Sequence, residues 1–544
     1  MKRSVFFCTA VLIIATCLIL NGCDTGFSGT ALDNQPPDTQ LSVRDSSLVD
    51  NLNEEARLSS TVLVSWSGAD EDGFIDAFEI RFFTQDEPPA GPEDGWTMTT
   101  RTDSLVLLPI PLGERLADVT FEVRAIDNEG LKDPTPARTI FPVQNAPPTI
   151  QLSSFDAPPD TTFSIISFSW RADDPEGESN LDRIEISLND STQFAALAPD
   201  VSFITLVGQV DRNNPTQTET NARVFVGRGF QSTNVQIPDL RLDAENTFYF
   251  RAVDQTDTTS VLERFTWYVK KPQSEVLYVN DYRKIAGENV QSFHLDLLSQ
   301  YLPAGTTVDT WDISQPFTTG AAGNTPRSDA LPPNADPTLR QQLALYPYIY
   351  WVSTSATNSI SGNNLPFAAT VTDLFFEQGG KMLVHTPISQ PVNPEDNLGN
   401  AAILLLPLNN LISFPDTLRI GLRMPREAEV TPQSAVPGVS EPLPALRTTQ
   451  SIISAQSYDA SGANIIPLYD AEFLYITRQG GRQGPWFGPK TVASISADQR
   501  IGLFALPLIN DQTGDLVLEG TDGDPQAPIR AIHLMLESLG FPKR

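Results

Sequence analysis

Hydrophobic and polar positions change rhythm four times along the 544 residues. Behind Met1-Lys2-Arg3, the stretch from Val5 to Leu20 is nearly free of polar groups and ends at Asn21-Gly22-Cys23. A charged start, an apolar run and a small residue before a cysteine have the layout of a secretory signal. The run is shorter than the ~20 residues a spanning helix needs. From 34 to 271 the period is two: Val62, Val64 and Trp66 alternate with other residues, as do Phe121, Val123 and Ala125, with Asp/Gly/Pro turns between such runs. This pattern predicts half-buried antiparallel strands. After Lys270-Lys271-Pro272 apolar strands alternate with helical stripes. The strand Glu275 to Asp281 precedes a helix with Val290, Phe293, Leu297, Leu298 and Tyr301 on one face. Strands follow at Thr307 to Asp312, Tyr348 to Val352 and Lys381 to His385, with helices at Leu339 to Leu345 and Val371 to Glu377, the latter stopped by Gly379-Gly380. From 404 to 497 the chain is proline-rich and irregular, with one possible strand at Ala471 to Tyr475. A strand at Ile501 to Leu506 and an amphipathic helix at Pro528 to Leu539 then close the domain. Alternation of strand and helix predicts a doubly wound parallel sheet.

Within 34–271 one pattern occurs twice. Asn34-Gln35-Pro36-Pro37 returns as Asn145-Ala146-Pro147-Pro148, the strand through Trp66 returns through Trp170, and Phe121-Glu122-Val123-Arg124-Ala125-Ile126-Asp127 returns as Phe248-Tyr249-Phe250-Arg251-Ala252-Val253-Asp254. Two β-sandwiches are expected, at 34–144 and 145–271, with an inserted loop or hairpin near 191–230 in the second. The early tryptophan and the late Phe-x-x-Arg-Ala-x-Asp strand resemble fibronectin type III and related immunoglobulin-like domains.

The succession in 275–544, a strand ending in Asp281, a buried tryptophan strand at Trp351 and a Gly-Gly turn before Lys381, resembles class I glutamine amidotransferase-like domains. The fold this implies is an α/β flavodoxin-like sheet, with 404–497 as an insertion. In that family a cysteine follows the strand that here reads Lys381 to Val384. This chain has His385-Thr386 instead, so the resemblance is to a degenerate member.

Leu20-Asn21-Gly22-Cys23 resembles the lipobox of bacterial lipoproteins. The resemblance implies a signal peptide at 1–22, lipidation of Cys23, a tether at 23–33 and attachment to a lipid bilayer on the periplasmic or outer side of a bacterial membrane. The three cysteines are Cys8, Cys17 and Cys23. The first two leave with the signal, so the mature chain has neither a thiolate nucleophile nor a cysteine zinc site.

A formal charge of −31 opposes nucleic acid, whose phosphates require clustered Lys and Arg. The excess of acid over lysine fits either a salt-loving source or a surface kept dispersed by like charge. Ligands of open α/β sheets bind beyond the carboxyl ends of the strands, which here gathers Asn280, Asp281, Ser353, Thr354, His385 and Thr386. His385 and Asp281 are the catalytic candidates, with Ser353 as a conceivable nucleophile, although no Gly-x-Ser-x-Gly elbow is present. His294 and His533 are expected on helices away from this edge. Calcium is the one cofactor with candidate ligands: Asp70, Asp72 and Asp76 in the first copy and Asp173, Asp174 and Glu176 in the second lie on glycine turns, where they serve equally to satisfy a turn. Trp351 and Trp486 could stack on sugar or pack within the fold. Two functions are in competition: a non-catalytic binding or scaffolding lipoprotein with a protein or polysaccharide partner, and a hydrolase of glycan or peptide working at the C-terminal crevice.

Overall fold

The computed structural model describes residues 33–43, 58–59, 61–282, 287–314, 330–332, 334–354, 364–388, 404–412, 419–453, 455–477 and 483–544. The expected signal peptide and Cys23 lie outside them. The protein divides into two compact units, Met1–Ala146 and Pro147–Arg544.

The first unit is a sandwich of two sheets. One sheet has the order Asp38–Val43, Thr61–Ala69, Asp103–Leu107; the other runs Leu58–Ser59, Ala137–Gln144, Leu116–Asp127, Ile75–Thr84, Thr97–Thr99. The period-two pattern explains the core, since Val62, Val64 and Trp66 face Phe78, Phe121 and Val123 across the interior and all six are buried. Trp66 packs edge-on to Phe78, with ring centroids 6.3 Å apart, and its Nε1–H donates to the Arg101 carbonyl at 2.9 Å.

The second sandwich repeats the plan inside the second unit. Trp170 Nε1–H donates to the Val201 carbonyl at 2.8 Å, and Phe168 stacks on Phe248 with ring centroids 4.1 Å apart. Each copy also has one short parallel pair, Leu58–Ser59 with Ala137–Gln144 and Thr161–Thr162 with Glu263–Val269. The surplus of the second copy is integral sheet: Glu219–Val226 and Gln231–Arg241 extend the sheet of Thr149–Leu152, Ile165–Asp173 and Phe203–Gly208 to five strands. Its alternation is buried at Ala222, Val224, Ile237 and Leu240.

The C-terminal part of this unit is built on five parallel strands: β1 (Val276–Asp281), β2 (Asp309–Asp312), β3 (Tyr348–Ser353), β4 (Lys381–His385) and β5 (Ile501–Phe504), in the spatial order β2-β1-β3-β4-β5. Helices α1 (Gly287–Tyr301), α2 (Pro337–Ala344), α3 (Leu365–Ala368), α4 (Asp373–Glu377) and α5 (Ala527–Ser538) cover them. Along β1 the residues alternate between two cores: Val276 and Tyr278 pack with α1 and α5, Leu277 and Val279 with α2, α3 and α4. A strand buried on both faces is a near-continuous apolar run, as β1 is from Val276 to Val279 and β3 from Tyr348 to Val352. Gly380 is required by packing, because a Cβ there would lie 2.3 Å from the Phe375 ring.

Two expectations are corrected. The sheet is not wholly parallel: beyond β5 it continues antiparallel through Thr491–Ser496, Ile465–Ala471, Glu429–Pro432, Leu446–Thr448 and Leu518–Gly520. The turn from Ser496 to Ile501 is too short for a crossover, so those neighbours must run antiparallel. Much of 404–497 is likewise strand rather than irregular chain. Its prolines fall where the ladder tolerates them, as at Pro467, where the register shifts.

Lys270-Lys271-Pro272 marks a change of pattern but not a loose joint. Phe163 of the second sandwich enters the core beneath β1 and β3, its ring centroid 5.4 Å from that of Tyr346, and its backbone N–H donates to Gln342 Oε1 at 2.9 Å. The Thr338 hydroxyl donates to Ser167 Oγ at 2.8 Å, and Arg212 donates to the Leu345 carbonyl. Lys270 Nζ reaches the Thr310 carbonyl, and Lys271 Nζ holds the carbonyls of Asn214 and Gln217.

Candidate functional site

The parallel register sets the carboxyl ends of β1, β3 and β4 side by side: Asp281 pairs with Ser353, and Val352 with His385. The residues expected at one crevice are therefore neighbours, but they are packed rather than open. Asn280, Asp281, Ser353, His385 and Thr386 are buried, Asp281 at 0% and His385 at 3% exposure, and Thr354 alone of the six is half-buried. The Asp281 carboxylate accepts from the Asn364 backbone N–H at 2.7 Å, from Asn364 Nδ2 at 2.8 Å and from Trp351 Nε1 at 3.3 Å. Asn364 stands immediately before α3, so Asp281 fastens that helix to the sheet. The Ser353 hydroxyl donates to Thr386 Oγ1 at 2.7 Å.

His385 lies 2.7 Å, through Nε2, from the Leu506 carbonyl, an acceptor only, so Nε2 carries the proton. A relay from Ser353 through His385 to Asp281 is not formed, since each of the three is engaged by a different partner. The placement of His294 is corrected as well. Its helix α1 turns it inward, fully buried, 4.6 Å between ring centroids from His385, with Nδ1 2.7 Å from the Tyr350 hydroxyl. Burial pushes the pKa of both imidazoles down, His385 to about 4 and His294 well below the usual histidine range. His533 contacts the Leu297 carbonyl at 3.0 Å. The apolar stripe of Val290, Phe293 and Leu297 predicted the helix, but not that His294 would turn inward against His385.

Trp351 is 1% exposed, so it offers no face to a sugar, and Trp486 donates Nε1–H to the Pro489 carbonyl at 2.7 Å. A cavity of about 690 Å³ lies instead at the opposite edge of the sheet, against the start of β5, lined among others by Thr372, Asp373, Phe376, Asn464, Ser496 and Arg500. Its charged groups are satisfied locally: Arg500 pairs with Asp498, and Asp373 with Arg340. With hydrogen-bonding groups and an aromatic edge this lining can bind a polar ligand, and its two carboxylates, Asp373 and Asp498, are each held by an arginine. Nothing in the sequence pointed to it, because its residues come from four separated segments.

Of the acidic loops, Asp70 with Asp72 and Asp174 with Glu176 lie at the turn after the tryptophan strand; Asp174 is buried, Asp70 and Glu176 are half-buried, and Asp72, Asp76 and Asp173 are exposed. Among the described residues no group of three or more His, Cys, Asp or Glu side chains is arranged to hold a metal.

No family's sequence profile matches the chain, and no curated protein matches it. Among solved structures it is similar to the fibronectin(III)-like modules of Clostridium thermocellum CbhA, at 10% identity over 43% of this chain and 95% of that one, with a TM-score of 0.15. A two-domain fibronectin type III segment of chicken tenascin matches at 11% identity over 44% of this chain and 100% of that one, with a TM-score of 0.20. The chitinase ChiA74 of Bacillus thuringiensis matches at 15% identity over 44% of this chain and 30% of that one, with a TM-score of 0.15. The sandwich architecture described above rests on this chain's own strand pairing.

Proposed function

We propose that the protein is a lipid-anchored, non-catalytic binding or scaffolding protein of a bacterial cell envelope, in which fibronectin-like sandwiches carry a degenerate amidotransferase-like α/β head toward a protein or polysaccharide partner. The observation that carries this reading is the packed carboxyl edge of the sheet, where Asp281, Ser353 and His385 are buried and each bonded to a different group. The spatial order β2-β1-β3-β4-β5 supports the flavodoxin-like part of the reading. His385-Thr386 after β4, where the resembled family has its cysteine, supports the loss of that family's chemistry. Anchoring is supported by Leu20-Asn21-Gly22-Cys23, and exclusion of nucleic acid by the charge of −31.

The test is an assay of the full chain against chromogenic glycosides, esters and peptides, alongside His385→Gln. No turnover is expected from either protein. Turnover by the parent that disappears in a folded His385→Gln variant would establish the hydrolase instead.

A further inference from the structure

The two sandwiches are closed differently at one edge. Val64-Ser65-Trp66 of the first copy corresponds to Phe168-Ser169-Trp170 of the second, so Leu63 corresponds to Ser167. Leu63 stands opposite Leu105 in its sheet and Ser167 opposite Thr205, which makes Asp103–Leu107 the counterpart of Phe203–Gly208. In the second copy that strand lies inside its sheet: Glu219–Val226 pairs along its far side, and Gln231–Arg241 follows. In the first copy Asp103–Leu107 is the last strand, paired only with Thr61–Ala69 among the described residues.

The side chains differ in the same sense. Ser167 and Thr205 are buried with their hydroxyls 2.9 Å apart, and the Thr338 hydroxyl at the start of α2 bonds to Ser167. Leu63 and Leu105, a cross-strand pair on one face, are 39% and 67% exposed, and Leu107, two residues on and so on the same face, is 43% exposed. An open edge strand is a template for pairing with another chain, and edges are ordinarily blunted by lysine, proline or a bulge. Asp103-Ser104-Leu105-Val106-Leu107 contains neither lysine nor proline, and it pairs with Thr61 to Ser65 without a shift of register.

We propose that the edge strand Asp103–Leu107 pairs with the same strand of a second copy of this chain, antiparallel and centred on Leu105, to form a two-fold dimer. The second sandwich supplies the pattern for the occupant: Phe225 stands opposite Thr205 and Arg223 opposite Val207, an apolar residue and then a charged one. The two-fold pairing reproduces that pattern, with the partner's Leu105 opposite Leu105 and the partner's Asp103 opposite Leu107. Asp103 therefore faces no like charge, although each chain carries −31. A five-residue strand with its exposed leucines falls short of the ~1,200–2,000 Å² that a stable interface buries, so the dimer is weak and depends on concentration.

The experiment places single cysteines in the full chain and reads disulfide-linked dimer on non-reducing gels after mild oxidation, in whichever fraction, membrane or soluble, the chain is found. Leu105→Cys should link to its own mate, because residues facing each other across an antiparallel pair have Cα atoms ~4.5–5.5 Å apart, within disulfide range. Leu107→Cys should give no more dimer than the parent chain, since the two copies of position 107 lie ~13 Å apart along the strands. Ser42→Cys, on the opposite edge strand of the same sheet, should likewise stay at the level of the parent, which carries Cys8, Cys17 and Cys23. In a second measurement the weight-average mass of the full chain in detergent micelles should rise with protein concentration. Leu105→Lys, which sets like charges face to face, should abolish that rise. No linkage at Leu105→Cys, equal linkage at positions 105 and 107, linkage through Ser42→Cys, or an adduct of Leu105→Cys with a different polypeptide in place of the homodimer overturns the proposal. So does a parent mass that is independent of concentration, or a rise that survives Leu105→Lys.

Discussion

The imidazole of His385 stands against that of His294, ring centroids 4.6 Å apart, between the sheet and helix α1. Both stay neutral in the folded state, where burial holds His385 down at about 4 and His294 well below the usual histidine range. In the unfolded chain each titrates near ~6.5, so on acidification the unfolded state takes up protons first. The stability held by the neutral pair is therefore fully present above about pH 7 and is lost progressively as pH falls from ~6.5 toward ~4. Melting temperatures measured across that window should fall for the parent and fall less steeply for His294→Gln with His385→Gln. Identical slopes would show that the pair does not govern acid stability.

Asp281 serves as an anchor for α3, so its loss is a structural event. Asp281→Ala leaves three buried donors unanswered, two on Asn364 and one on Trp351. Urea unfolding should show a loss of about 3 kcal/mol. Asn364→Ala combined with it should cost less than the sum of the two single changes, because both remove the same contact. Full additivity would refute the coupling.

The joint between the second sandwich and the α/β part should behave as core. Phe163→Ala removes a buried ring and should cost about 3–5 kcal/mol. In calorimetry the parent's second unit should unfold in one transition, which Phe163→Ala combined with Gln342→Ala should split in two. A parent that already melts in two steps would contradict the shared core seen around Tyr346.

Anchoring is tested by Cys23→Ser. The variant should leave the membrane fraction or accumulate with its leader uncleaved. Membrane retention of a fully processed Cys23→Ser chain would refute the lipoprotein reading.

The elements with a clean period were legible in the sequence. Val62, Val64 and Trp66 announced a half-buried strand, and the apolar runs of β1 and β3 announced strands covered on both faces. What escaped was decided by tertiary pairing. The strands Glu429–Pro432 and Ile465–Ala471 look irregular because their prolines interrupt the pattern, and only their antiparallel neighbours make them strands. Fold order rightly brought Asp281, Ser353 and His385 together. It could not say that Asn364 and Leu506 would claim their hydrogen bonds, since those residues arrive from distant positions. The pairing of His294 with His385 was hidden for the same reason.

One consequence follows from the place of β5. It lies beside β4 in the sheet, yet the chain between them contains all of the antiparallel extension except Leu518–Gly520. During synthesis the first four parallel strands emerge and wait with the β4 edge unpaired, exposing apolar Met382, Leu383 and Val384 until Ile501 to Phe504 arrive. Pairings of such long sequence separation are slow to form, because loop closure must come before the contacts that reward it. A nascent chain of this protein is therefore most vulnerable to aggregation late in translation, and it is then that an export or folding chaperone would have an edge to guard.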